Sequence, residues 1–182
     1  MQTLTQTPSA TTTSVTTIAL GTVAFAAGTL GVGVAIAVAL AAATFAALVD
    51  LRMNRIPDEF VVVALLPSVG SVLTALVSGD GAARGLAVVI GGAVVALPLF
   101  VIHVLAPRAM GFGDVKLAVS LGAAIGLVDP VLGLVALCVA SASTAVVGLA
   151  TRRGALPFGP GLVFGTVVAI TFAAWAERWL AW

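Results

Sequence analysis

Charge is what this chain has least of. Only 8% of its 182 residues are Asp, Glu, Lys or Arg, against roughly a quarter in an ordinary soluble domain, while 61% are hydrophobic. That balance excludes a soluble globular fold. A net charge of +1 with no basic tract leaves nothing to hold a nucleic acid. The one cysteine, Cys138, lies within an apolar run, so an intrachain disulfide and a multi-cysteine metal site are both excluded. It reads as a small packing residue. The one histidine, His103, has no second His or usable Cys to complete a zinc ligand set and is expected to be packed. No metal and no cofactor are expected. The opening "MQTLTQTPSATTTSVTT" has neither a positive n-region nor a short apolar h-region with a cleavage site, so it is not read as a removable signal peptide. Residues 1–17 are expected to form a disordered polar tail ahead of a single transmembrane domain, 18–182.

What is present is a succession of apolar runs. The alternation and turn-rich spacing of an outer-membrane barrel are missing, and continuous Ala, Val, Leu and Gly runs are long enough to cross a hydrocarbon core of roughly 30 Å as helices. The expected fold is all-α, a polytopic membrane bundle of about six helices at 28–49, 60–77, 84–105, 115–128, 131–150 and 159–176. The fourth covers only about 21 Å at 1.5 Å per residue. It must therefore tilt little, thin the bilayer, or begin inside a protein-lined cavity. The first apolar run starts near Ile18, with Gly28, Gly31 and Gly33 as break points and room for a seventh helix. Pro98 is expected to kink span three, and Gly91 and Gly92 to allow close helix packing. The loops after spans one, three and five hold Arg52, Arg55, Arg108, Lys116, Arg152 and Arg153, against Arg84 and Arg178 on the other side. By the positive-inside rule the first group faces the cytoplasm.

Most of the seven carboxylates have plain structural roles. Asp80 and Asp129 lie in short turns beside Gly or Pro, and Glu177 neighbours Arg178 at the last boundary. Asp58 and Glu59 follow Pro57 and open span two, where carboxylates cap free N–H groups and meet the positive end of the helix dipole. Asp50 and Asp114 differ. Asp50 follows "LAAATFAALV" at the C-terminal end of a helix, where the dipole disfavours an anion and the group needs a partner or a proton. Asp114 stands where span four begins, either as its N-cap or as a functional group. Gly111 and Gly113 favour the second, because an N-cap needs no glycines, whereas glycines let the backbone turn sharply and approach another chain. Lys116 either pairs with Asp114 or snorkels to the interface.

The topology brings Asp50 and Asp114 to one membrane boundary on helices that can be neighbours. Two facing carboxylates share a proton and titrate as a unit. That is the apparatus of aspartic proteolysis: the ionised member takes a proton from the attacking water, and the protonated member supplies one to the peptide carbonyl oxygen. The same pair could bind a cation or relay a proton in a small ion- or proton-coupled transporter, although the chain shows no obvious internal duplication.

Three segments carry a resemblance. "DLRMNRIPDEF" after the first main span, "GFGDVK" entering the fourth and "LPFGPGLVFG" opening the last are similar to the signature segments of the type IV prepilin peptidase family, aspartyl proteases with a G-x-G-D motif. The likeness extends over about 28–176. It implies that Asp50 and Asp114 are catalytic, that Gly111, Gly113 and Lys116 surround the second, and that Ile56 and Pro57 belong to the segment of the first. It assigns no catalytic role to Asp58. The implied reaction is removal, at the cytoplasmic face of a prokaryotic plasma membrane, of a short basic leader from pilin or pseudopilin precursors, which with the lipid bilayer are the implied partners. A basic leader would stay on the cytoplasmic side and place the scissile bond at the depth of the aspartates.

Larger members of that family carry a cytoplasmic domain with paired cysteines that accompanies N-methylation. This sequence shows neither, and resembles the short peptidase-only type of tight-adherence pilus systems. Presenilin-like proteases share G-x-G-D, but their partner aspartate follows a tyrosine and this chain has none. A catalytically silent assembly factor of the same fold is a further alternative that the intact aspartates argue against. Pro157 and Pro160 cannot sit in a helix interior without cost. Pro157, Phe158, Gly159 and Pro160 are therefore expected to form irregular backbone that shapes a substrate groove beside the aspartates.

Overall fold

A backbone held away from water can satisfy its polar groups only in helices or closed barrels, and in this Ala-, Val- and Leu-rich chain helices are what form. A computed structural model describes residues 10–53, 57–107, 110–151 and 157–180. Among these are seven helices and no strand: α1 (Ala10–Leu30), α2 (Val32–Met53), α3 (Asp58–Ser78), α4 (Gly81–Leu105), α5 (Phe112–Gly126), α6 (Leu132–Thr151) and α7 (Gly159–Leu180). The protein is an all-α membrane helix bundle. Each of the six expected spans is a helix, α2 to α7. Five of these are long and apolar enough to cross a membrane; α5, with 15 residues and about 22 Å of length, is not.

The additional helix is α1, whose apolar part is Ile18–Leu30 and whose backbone is helical from Ala10, within the stretch expected to be a tail. The chain breaks between α1 and α2 at Gly31, where φ is +137°, a conformation that a side chain would oppose. Gly28 and Gly33 remain helical, and α4 runs through Pro98 from Gly81 to Leu105.

The short helix sits in the middle. α5 touches α2, α3, α4, α6 and α7, and its Leu117, Leu121 and Ile125, four residues apart on one face, are fully buried against Val95 and Leu99 of α4, Leu162 of α7 and the alanines of α2 and α6. In lipid, helices gain little from hydrophobic exclusion and associate through close packing. The α4–α5 contact shows this directly: side chains built on Gly91, Gly122 or Gly126 would run into the backbone of the opposite helix. Gly165 meets the backbone of α6 at Ala136 in the same way.

Candidate active site

Three chain segments converge at one end of the bundle. Asp50 lies in the last turn of α2, and Asp114 is the third residue of α5. Both are buried, 7% and 9% exposed. Ala47 precedes Asp50 by three residues, and Leu117 follows Asp114 by three, so each shares its aspartate's helix face. Gly159, the first residue of α7, lies between these faces. A Cβ placed on it would stand 3.5 Å from Leu117 Cδ2, 3.6 Å from Asp114 Oδ1 and 3.7 Å from Ala47 Cβ. The two carboxylates are close enough for the charge of Asp50 to act on Asp114. The backbone amides of Phe158 and Gly159 are directed at the Asp114 carboxylate, which places it at the positive end of the α7 dipole. Its Oδ1 is buried without a hydrogen-bond partner.

Asp114 does not cap its own helix. The N-cap of α5 is Gly111, in extended backbone (φ −70°, ψ 140°), and no side chain closes the cap. Standing three residues inside the helix, the carboxylate turns instead toward the free amides that open α7. Gly111 therefore has no unusual backbone angle, and a Cβ there would make an ordinary contact, 3.6 Å from Asp114 Oδ2. Gly113, the second residue of α5, is half-buried.

Two of the smaller expectations are corrected. Lys116 pairs neither with Asp114 nor with solvent alone; its Nζ donates to Asp58 Oδ1 at 2.7 Å. Residues two apart on a helix point to opposite sides, so Lys116 is turned away from Asp114 and toward α3. Asp58 and Glu59 stand in the first turn of α3, but its N-cap is Pro57 and neither side chain bonds back to the cap. His103 is packed, with its ring 5.4 Å from that of Phe112 and its Nδ1 donating to the Met110 carbonyl at 2.8 Å. Among the described residues, no three His, Cys, Asp or Glu side chains come together as metal ligands.

The proline segment is irregular for a shorter stretch than expected. Pro157 and Phe158 are non-helical, but Pro160 is already the second residue of α7, a first-turn position where the missing N–H costs nothing. Pro157 and Pro160 line an apolar groove of about 240 Å³ together with Leu51, Ser143, Thr144, Val147, Gly161 and Phe164. Leu51 follows Asp50 directly in sequence, and neither aspartate lines the groove. Phe158 and Gly159 face α5 instead. The contribution of α6 to this groove, Ser143 and Thr144, was not foreseen; two hydroxyls in an apolar helix were the available signal. Ile56 lies outside the described residues, as do Arg55, Arg108, Arg152 and Arg153.

A buried carboxylate pair with one unsatisfied oxygen and helix amides aimed at it can exchange protons with a bound polar group. A family model for the type IV leader peptidase family matches residues 36–149, a range that contains both aspartates and all of α3, α4 and α5. No curated protein and no solved structure matches the chain.

Proposed function

This chain belongs to the type IV leader peptidase family, and from that premise we propose that it is a membrane aspartic endopeptidase whose catalytic pair is Asp50 and Asp114. Its substrates are precursors with a short basic leader followed by an apolar stem, of the pilin or pseudopilin kind, cleaved at the cytoplasmic face of the plasma membrane. The observation that carries this reading is the burial of two carboxylates, brought together from α2 and α5 against the first amides of α7.

The chemistry follows from the pair sharing one proton. The ionised member takes a proton from water as its oxygen attacks the scissile carbonyl carbon, and the protonated member gives its proton to the carbonyl oxygen. Collapse of the tetrahedral intermediate breaks the C–N bond, and the departing amine leaves with a proton from the pair. The apolar groove that starts at Leu51 and runs past Pro157 and Pro160 suits the stem of such a substrate. The excess of basic residues in the loops beside the aspartates supports the cytoplasmic placement.

The test is cleavage of a precursor in membranes by the wild type and by Asp50→Asn and Asp114→Asn at matched expression. Asparagine keeps the shape and removes the exchangeable proton. Each substitution is expected to lower the rate by about 10²–10⁴-fold. Undiminished cleavage by both variants would return the pair to a transport or structural role.

A further inference from the structure

We infer that Asp58 and Lys116 are positioning residues: their ion pair helps fix the axial register of α5 against α2 and α3, and through it the geometry of Asp50 against Asp114. The inference starts from how α5 is held. Its broadest contact, with α4, is made where Gly91, Gly122 and Gly126 bring backbone against backbone. Such a surface sets how near the helices lie, and Leu117, Leu121 and Ile125 pack beside it against Val95 and Leu99. Directional contacts at the start of α5 add to this apolar packing in fixing the register.

Those contacts cluster around the first two turns. The Lys116 ammonium donates to Asp58 Oδ1 at 2.7 Å, tying α5 to the first residue of α3. It also stands 5.2 Å from the centroid of the Phe112 ring, an attractive placement for a cation. Phe112 in turn packs on His103 of α4, which holds the Met110 carbonyl. One turn deeper, Ser120 Oγ donates to the Val61 carbonyl of α3 at 2.9 Å. The "GFGD" turn is thus bracketed from both sides by a connected series of polar and aromatic contacts, in which, among the described residues, Asp58 and Lys116 form the ion pair. Lys116 lies two residues beyond Asp114, and Asp58 opens the helix that follows the one bearing Asp50. The pair therefore joins the helix that delivers Asp114 to the helix that packs on and follows the one bearing Asp50.

A shift of α5 by one residue would move Asp114 about 1.5 Å, and misplacements of about 1 Å can cost on the order of 10²-fold in rate. Partly exposed ion pairs contribute little to global stability. Loss of this pair is therefore expected to change geometry and turnover far more than folding.

The kinetic consequence rests on the peptidase reading; the geometric one does not, and the experiment keeps them apart. In a Cys138→Ser background, Asp50→Cys and Asp114→Cys are joined by a short bifunctional thiol reagent in membranes. The yield is compared with that after adding Asp58→Asn, Lys116→Met or the exchange Asp58→Lys with Lys116→Asp. Single substitutions should lower the yield severalfold and the exchange should restore most of it. In the enzyme with both aspartates present, the same single substitutions should lower kcat about tenfold with KM little changed, and the exchange should recover it. Unaltered crosslinking in both single variants, or an exchange no better than they are, overturns the inference. Absent cleavage by the wild type would count against the peptidase reading, while the crosslinking would still decide the role of the pair.

Discussion

Helices α4 and α5 are bound together along their contact and are otherwise opposites. α4 has 25 residues and turns Leu86, Val89, Leu97, Phe100 and Val104 outward. α5 has 15, buries everything from Ser120 to Gly126 and touches five other helices. The long helix is built for contact with lipid, the short one for contact with protein. A helix surrounded by other helices need not match the bilayer's thickness, and can begin with glycines and a carboxylate that a lipid-facing segment could not hold without large cost. The shortness of α5 and the presence of Asp114 at its start are therefore one feature.

The difference can be pressed experimentally. Its largest expected consequence for folding is at equal chemistry: Leu121→Ala on α5, where the side chain is 0% exposed, should cost about 2–5 kcal/mol through the cavity it leaves. Leu97→Ala on α4, where the side chain is 58% exposed, should stay within about 0.5 kcal/mol. Unfolding in mixed micelles measures both, and equal costs would dissolve the distinction between the helices. A smaller effect is expected from Gly122→Ala, whose new methyl runs into the Gly91 carbonyl; overpacking of this kind costs about 1–3 kcal/mol. Gly85→Ala on α4 meets only Val72 Cγ1 at 3.5 Å and should be tolerated in the same titration. The smallest is Ser120→Ala, which removes the bond to the Val61 carbonyl and should cost about 0.6 kcal/mol. A cost several times larger would mean that this hydroxyl, and not the glycine contact, dominates the seating of α5.

The sequence makes the frame of the molecule legible because apolar run length translates directly into helices, and α2 to α7 follow the six runs closely. The unusual standing of Asp50 and Asp114 is legible too, since a carboxylate bordering an apolar run needs a reason. Partners are harder. Lys116 stands two residues from Asp114 in sequence, which suggests an ion pair, yet helical geometry sends the two to opposite sides and the true partner of Lys116 comes from α3, 58 residues away. Asp114 at a helix start suggests a cap, whereas its carboxylate is directed at α7, whose place in the bundle no local pattern specifies. α1 is obscured by composition: Thr and Ser compete with helix backbone for hydrogen bonds. Its seating comes from α3, where Gly28 lies against Pro67 and Ser71.

The turn at Pro157–Gly159 has a consequence in time as well as in space. Asp50 and Asp114 leave the ribosome first, on the second and fifth helices, but the amides directed at Asp114 are those of Phe158 and Gly159, where the seventh begins. A nascent chain that has inserted α2 through α6 holds both aspartates and lacks the element that lies between them. The complete constellation comes into existence only when α7 docks, so the protein cannot assemble its carboxylate site before its helical bundle is nearly finished.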